Sequence, residues 1–237
     1  MSDRGAIALF KMNEDVVGKA RHGGKRLCAG RKKTGRRVGG PHRVRPELSP
    51  RHPVHVTMRV RRHFPELRGR DWWALIRKTL TRYLGREDFC IVHGSIQNNH
   101  FHFLIEASGK RTLTRGVQSL AINLARALNG GIGKIFPYRY HAVQITTPRQ
   151  ARNTLAYVLN NWRRHREDFA GGRQLRAPVD PYSSGVTFTG WTIPPRFTVP
   201  AGYAPLPTSP PRTALLRSDW KRFGLIDPFE RPGPIGG

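Results

Sequence analysis

Between residues 53 and 166 the hydrophobic period of this chain alternates between that of a strand and that of a helix, and the order leaves few folds open. Residues 53–60 (PVHVTMRV) alternate apolar and polar side chains over a strand's length. Residues 71–86 place apolar side chains at 72, 75, 76, 80, 83 and 84, which is helical spacing. Two short strands follow, Phe89 to Ile96 and His100 to Glu106, around the turn-forming Gln97, Asn98 and Asn99. Residues 113–129 predict a second amphipathic helix, stopped by Gly130 and Gly131. Tyr138 to Thr146 reads as a fourth strand, and Pro148 opens a third helix that runs to about Arg166. The order β-α-β-β-α-β-α predicts an α+β protein. Its first six elements form a ferredoxin-like core, an antiparallel sheet with helices packed on one face, and the last helix is added C-terminally.

The patterned block, taken as a domain over 52–168, is flanked by segments of different character. Residues 1–51 are expected to be a largely flexible arm; within it, residues 18–51 hold twelve basic groups against one acidic and show no hydrophobic period. Residues 169–237 form a Pro-rich extension: ten of the nineteen prolines fall after position 192. A short helix at Thr213 to Phe223 is expected to dock back through Leu215, Leu216 and Trp220.

Charge narrows the partner. The chain carries 42 Lys or Arg against 15 Asp or Glu, a net +27, which points to a polyanion. Arginine makes up 33 of the 42, suiting bidentate phosphate contacts, although a genome rich in Arg codons gives the same bias. Within the arm, Arg31, Lys32, Lys33, Arg36 and Arg37 are the expected DNA-contacting side chains, the alternative being a solvated charged tail. No apolar run approaches the ~20 residues that span a bilayer, which excludes a membrane-spanning helix. The run Ala6 to Phe10 is shorter than the roughly 7–15 residues of a secretory core. With only Cys28 and Cys90, neither a disulfide framework nor a Cys-rich zinc site is available. A cytoplasmic, nucleoid-associated protein is expected.

Two constellations carry chemistry. In His100-Phe101-His102 both imidazoles project from one face of a strand while Phe101 and Phe103 face the other way. Such a pair can hold one side of a divalent ion, but taken alone it also suits histidines on a sheet face. On the third helix Leu155, Val158, Leu159 and Trp162 form the buried stripe. Tyr157 lies well round from that stripe, with Asn161 one turn above it. Alone, Tyr157 reads as an amphipathic aromatic at a helix edge. Beside an H-x-H strand in a basic domain it also suits a phenolate attack on a metal-polarised phosphodiester.

The segments that bear these residues resemble a known family. Residues 89–106 (FCIVHGSIQNNHFHFLIE) resemble the HUH segment of the single-tyrosine transposases, and residues 155–161 (LAYVLNN) look like their nucleophile helix. Residues 55–60 (HVTMRV), 116–129 (GVQSLAINLARALN), 136–141 (FPYRYH) and 180–185 (DPYSSG) are similar as well, the nearest branch being the REP-associated tyrosine transposases. The resemblance implies His100 and His102 as metal ligands, Tyr157 as nucleophile and Asn161 as a third, amide-type ligand. It implies Mg²⁺ or Mn²⁺, and no nucleotide cofactor. The implied reaction cleaves single-stranded or hairpin DNA at a defined site through a 5′-phosphotyrosine, freeing a 3′-OH that permits strand transfer, by a monomer or a homodimer. One departure is visible: many relatives follow this asparagine with proline, whereas Asn161 is followed by Trp162, so the helix continues. The alternative is a non-catalytic hairpin-binding protein on the same fold.

Around these residues, Glu106 is expected to orient a ligand or simply to continue the strand. His93 and His141 are expected in core or surface roles. Tyr138 and Tyr140 are expected to stack on unpaired bases or pack on the sheet, and Trp72 and Trp73 to lie in the core.

Overall fold

The computed structural model describes residues 46–130, 133–170, 173–174, 178–196, 198 and 201–233. Arg31, Lys32, Lys33, Arg36 and Arg37 lie outside the described residues. The core elements are β1 (Val54–Arg59), α1 (Arg70–Leu80), β2 (Phe89–Ile96), β3 (His100–Ala107), α2 (Lys110–Asn129), β4 (His141–Gln144) and α3 (Pro148–Arg164). A two-residue pair, β5 (Phe169–Ala170) with β6 (Arg173–Gln174), and a short α4 (Ala214–Arg217) follow.

The sheet order is β2-β3-β1-β4, with every neighbouring pair antiparallel. That is the expected ferredoxin-like α+β arrangement. β1 shows how the sequence sets it: Val54, Val56 and Met58 are buried under α1 and α2, and His55, Thr57 and Arg59 point to the other face. Phe101, Phe103 and Ile105 of β3 join the first face, where α2 packs closely enough to require Gly116; a Cβ there would enter the Phe89 ring. Gly130 ends α2 in the left-handed conformation, φ 56°.

α3 lies on the opposite face. Pro148 stands in its first turn, and the Thr147 hydroxyl caps it by accepting from the Gln150 N–H at 3.2 Å. Its stripe Leu155, Val158, Leu159 and Trp162 is buried, at 0–1 % exposure. Leu155, Val158 and Leu159 form a second core with Val92 and Leu104 of the sheet and with the tail residues Val179, Trp191, Leu215, Leu216, Trp220 and Ile226. The tail thus docks through the three residues expected to hold it. Polar contacts pin it further: Arg152 pairs with Glu230 at 2.6 and 2.7 Å, Arg163 donates to the Pro228 and Pro178 carbonyls, and Asn160 donates to that of Asp227. No helix among the described residues is long and apolar enough to cross a membrane.

Candidate active site

β3 pairs with β1 so that His102 stands opposite Thr57 and His100 opposite Arg59. The face carrying His100 and His102 is the one α3 crosses, and the chain therefore brings the two imidazoles and Tyr157 together. The Tyr157 ring meets His102 edge-on, with centroids 5.2 Å apart at 87°, and the two imidazoles are 4.6 Å apart at 86°. A cavity of about 490 Å³ opens over them, lined also by Thr57, Arg59, Asn98, Asn99, His141, His165 and Glu167.

Hydrogen bonding sets which imidazole nitrogens are free. His100 Nδ1 is 2.7 Å from Asn99 Oδ1; an amide oxygen only accepts, so Nδ1 carries the proton and Nε2 presents a lone pair. His102 Nδ1 lies 3.0 Å from His55 Nε2 and 3.2 Å from Thr57 Oγ1, whereas its buried Nε2 has no partner among the described residues. A proton on His102 Nδ1 satisfies either contact and leaves Nε2 bare, which is the form that binds a cation.

Both rings are held neutral. Burial pushes His100 down to about 4, with His165 and Arg59 adding to it. Burial also takes His102 well below the usual imidazole range, with His55, His100 and His165 contributing. Tyr157 is shifted the other way: burial raises its phenol, and the Arg164 guanidinium, 5.8 Å from the ring centroid, opposes that rise.

Asn161 stands four residues past Tyr157 and four before His165, whose ring is 5.3 Å from that of His100. Its side chain is fully buried and does not line the cavity; both amide atoms lack a partner among the described residues. No three His, Cys, Asp or Glu side chains among the described residues form a metal-binding group. The donors on the cavity wall are therefore two neutral imidazole Nε2 atoms, with water or phosphate oxygens completing a cation's shell, while the unpartnered Asn161 amide is not among the lining groups. A divalent ion that accepts both imidazole nitrogen and oxygen ligands fits that set.

Two further residues at this site, His55 and Glu167, were not among the candidates from sequence. His55 on β1 is 4 % exposed, stacks on His102 with centroids 5.1 Å apart, and meets the Tyr157 ring at 5.9 Å. Its signal was phase: it alternates with Thr57, the register partner of His102. Glu167, just past the end of α3, accepts from the Asn98 N–H at 3.0 Å and sits 3.3 Å from Arg68, itself paired to Asp180. Burial pushes its carboxyl up to about 7, against the Asn98 N–H and Arg68.

Glu106 is no ligand orienter. Its oxygens accept from the Arg212 N–H at 2.8 Å, the Thr213 N–H at 2.9 Å and the Thr213 hydroxyl at 2.7 Å, so it holds the tail. His93 meets the Ser184 hydroxyl at 3.2 Å, away from the cavity, while exposed His141 lies on the cavity wall.

A solved structure of a REP-associated tyrosine transposase bound to a REP hairpin is similar to this chain, with a TM-score of 0.50 and 15 % identity over 61 % of this chain and 82 % of that one. No protein-family model matches the sequence, and no curated protein does. At that identity the likeness establishes a shared fold: a four-stranded antiparallel sheet with helices on both faces.

Proposed function

We propose that this chain is a divalent-metal-dependent enzyme that nicks and transfers single-stranded or hairpin DNA through a tyrosine–DNA link. The observation that carries the reading is the edge contact of Tyr157 with His102, at the mouth of a cavity holding two neutral imidazoles. The hairpin bound to the structurally similar transposase supports DNA as partner, and so does the +27 charge.

His100, His102 and Asn161 would hold Mg²⁺ or Mn²⁺. A divalent ion bound there supplies Lewis-acid polarisation of the scissile phosphate. Tyr157 Oη loses its proton to water and attacks phosphorus; the new O–P bond forms as the P–O3′ bond breaks, and the 3′ oxygen takes a proton from solvent. A second 3′-OH reverses the exchange, restoring a phosphodiester and the free phenol. Both steps are transesterifications, so no nucleotide cofactor enters. Arg164 favours the phenolate by its charge, and Arg59 on the cavity wall meets the phosphate.

Incubating the full chain with DNA hairpins bearing single-stranded tails and Mn²⁺ should give a covalent adduct on a denaturing gel. The adduct should vanish in Tyr157→Phe with DNA binding retained. An adduct that persists in Tyr157→Phe removes the assignment. Hairpin binding with no adduct in the wild type favours the second reading, a non-catalytic hairpin-binding protein.

A further inference from the structure

A second cavity, of about 340 Å³, lies on the other face of the sheet, between α2 and the segment leading into β4. Its walls include Phe136, Tyr138 and Tyr140, with Gln118 of α2 facing them and Met58 of β1 behind. Tyr138 is 53 % exposed, which leaves its ring open to a ligand in the cleft, and Arg139 beside it is exposed. Aromatic faces, an amide and a guanidinium together match a nucleobase and its phosphate: the rings stack, the amide reads an edge, and the arginine meets the backbone.

Charge selects the ligand class. From Lys110 to Arg166 the sequence holds eleven Lys or Arg and no Asp or Glu, so no carboxylate of that stretch repels a polyanion from this cleft. Position supplies the link to Tyr157. β4 is an edge strand, and at its start Tyr140 packs toward the α1/α2 core while His141, the next residue, borders the Tyr157 cavity. The two cavities thus lie on either side of the open sheet edge, one residue apart along the chain.

We infer that this cleft holds an unpaired nucleobase of the DNA strand whose phosphate reaches Tyr157, and so contributes to the choice of cleavage site. The inference rests on the reading of DNA as partner and adds a base-binding position to it. Tyr138 is the stacking platform and Arg139 the phosphate contact.

The test is photocrosslinking of the full chain to tailed DNA hairpins, each carrying 5-iododeoxyuridine at one unpaired position, with the crosslinked peptide identified by mass spectrometry. One position should crosslink to the 136–140 segment. Tyr138→Ala should weaken hairpin binding about 5- to 100-fold, and Tyr138→Phe should restore it. An abasic residue at the crosslinking position should cost the wild type a similar factor and Tyr138→Ala nothing further. Crosslinks confined to other peptides, or Tyr138→Ala binding within about twofold of wild type, overturn the cleft even where the Tyr157 adduct still forms. A wild-type chain that binds none of the hairpins overturns the DNA reading, and this inference with it.

Discussion

Tyr157 stands edge-on to His102, ring centroids 5.2 Å apart, although 55 residues separate them in the chain. The contact exists because β3 is covered on both faces: Phe101 and Phe103 lie in the core with α1 and α2, and His102 is buried on the α3 side, with half-buried His100 at the cavity. The proposed nucleophile and the proposed ligands are therefore set by packing that must be complete before any chemistry begins.

Asn161 separates a metal role from a packing role. A buried amide with neither atom bonded costs about 1–3 kcal/mol of stability, so Asn161→Leu should raise the melting temperature of EDTA-treated protein. The same change should abolish the further stabilisation given by Mn²⁺ and reduce adduct formation. Calorimetry with and without Mn²⁺ reads both; a variant that melts lower and binds Mn²⁺ normally removes Asn161 from the ligand set.

Acid should loosen the metal-free fold from the histidine side. Burial, then His141 and His100, push His55 down to about 3 in the folded chain, below the ordinary value of 6.5. The unfolded state therefore binds the extra proton first. Stability is fully present above about pH 6.5 and falls as pH drops toward 3, by up to ~1.4 kcal/mol per pH unit for this group. Urea unfolding between pH 7.5 and 5 should show that slope, and His55→Gln should lower it by about one proton. An unchanged slope in the variant would place the proton uptake elsewhere.

Nicking should speed up with alkali. Burial raises the Tyr157 phenol above its usual 10, so the phenolate fraction grows about tenfold per pH unit through the neutral range. Arg164 opposes that rise, and Arg164→Gln should slow single-turnover adduct formation roughly 3- to 10-fold at pH 7.5. A rate independent of pH between 6.5 and 9 would mean that another step limits the reaction.

Glu106 makes a purely structural prediction. Its carboxylate accepts three hydrogen bonds at the start of α4, so Glu106→Ala should cost about 2–4 kcal/mol and open the tail to proteolysis. Pulse proteolysis measures both. Adduct formation by the surviving folded fraction should keep the wild-type Mn²⁺ dependence; a shifted dependence would return Glu106 to the metal site.

The element order was legible because each segment keeps one hydrophobic period, and β2 falls on the residues read from sequence. The fourth strand shrank from Tyr138–Thr146 to His141–Gln144 for a local reason. β1 pairs with β4 only as far as Thr57, and beyond it Arg61 N–H bonds the Ile135 carbonyl, drawing the incoming chain across. His100, His102 and Tyr157 were legible as candidates, and the structure brings their rings together. The role of Glu106 and the presence of His55 were not, since each acquires its partners from distant segments: the tail at Thr213 for one, α3 for the other. Strand phase cannot report what will later cover the strand.

The tail that closes over α3 has one more consequence. With Arg152 fastened to Glu230, Arg163 to Pro228 and Asn160 to Asp227, the tyrosine helix is splinted along its outer side by its own chain. Lending that helix to a neighbouring molecule would mean stripping the splint away, whereas using it at home requires no rearrangement. If the chain nicks DNA as proposed, that splint predicts a nicking rate per molecule that stays constant on dilution, and a rate that falls on dilution would mean the tyrosine helix is supplied by a partner.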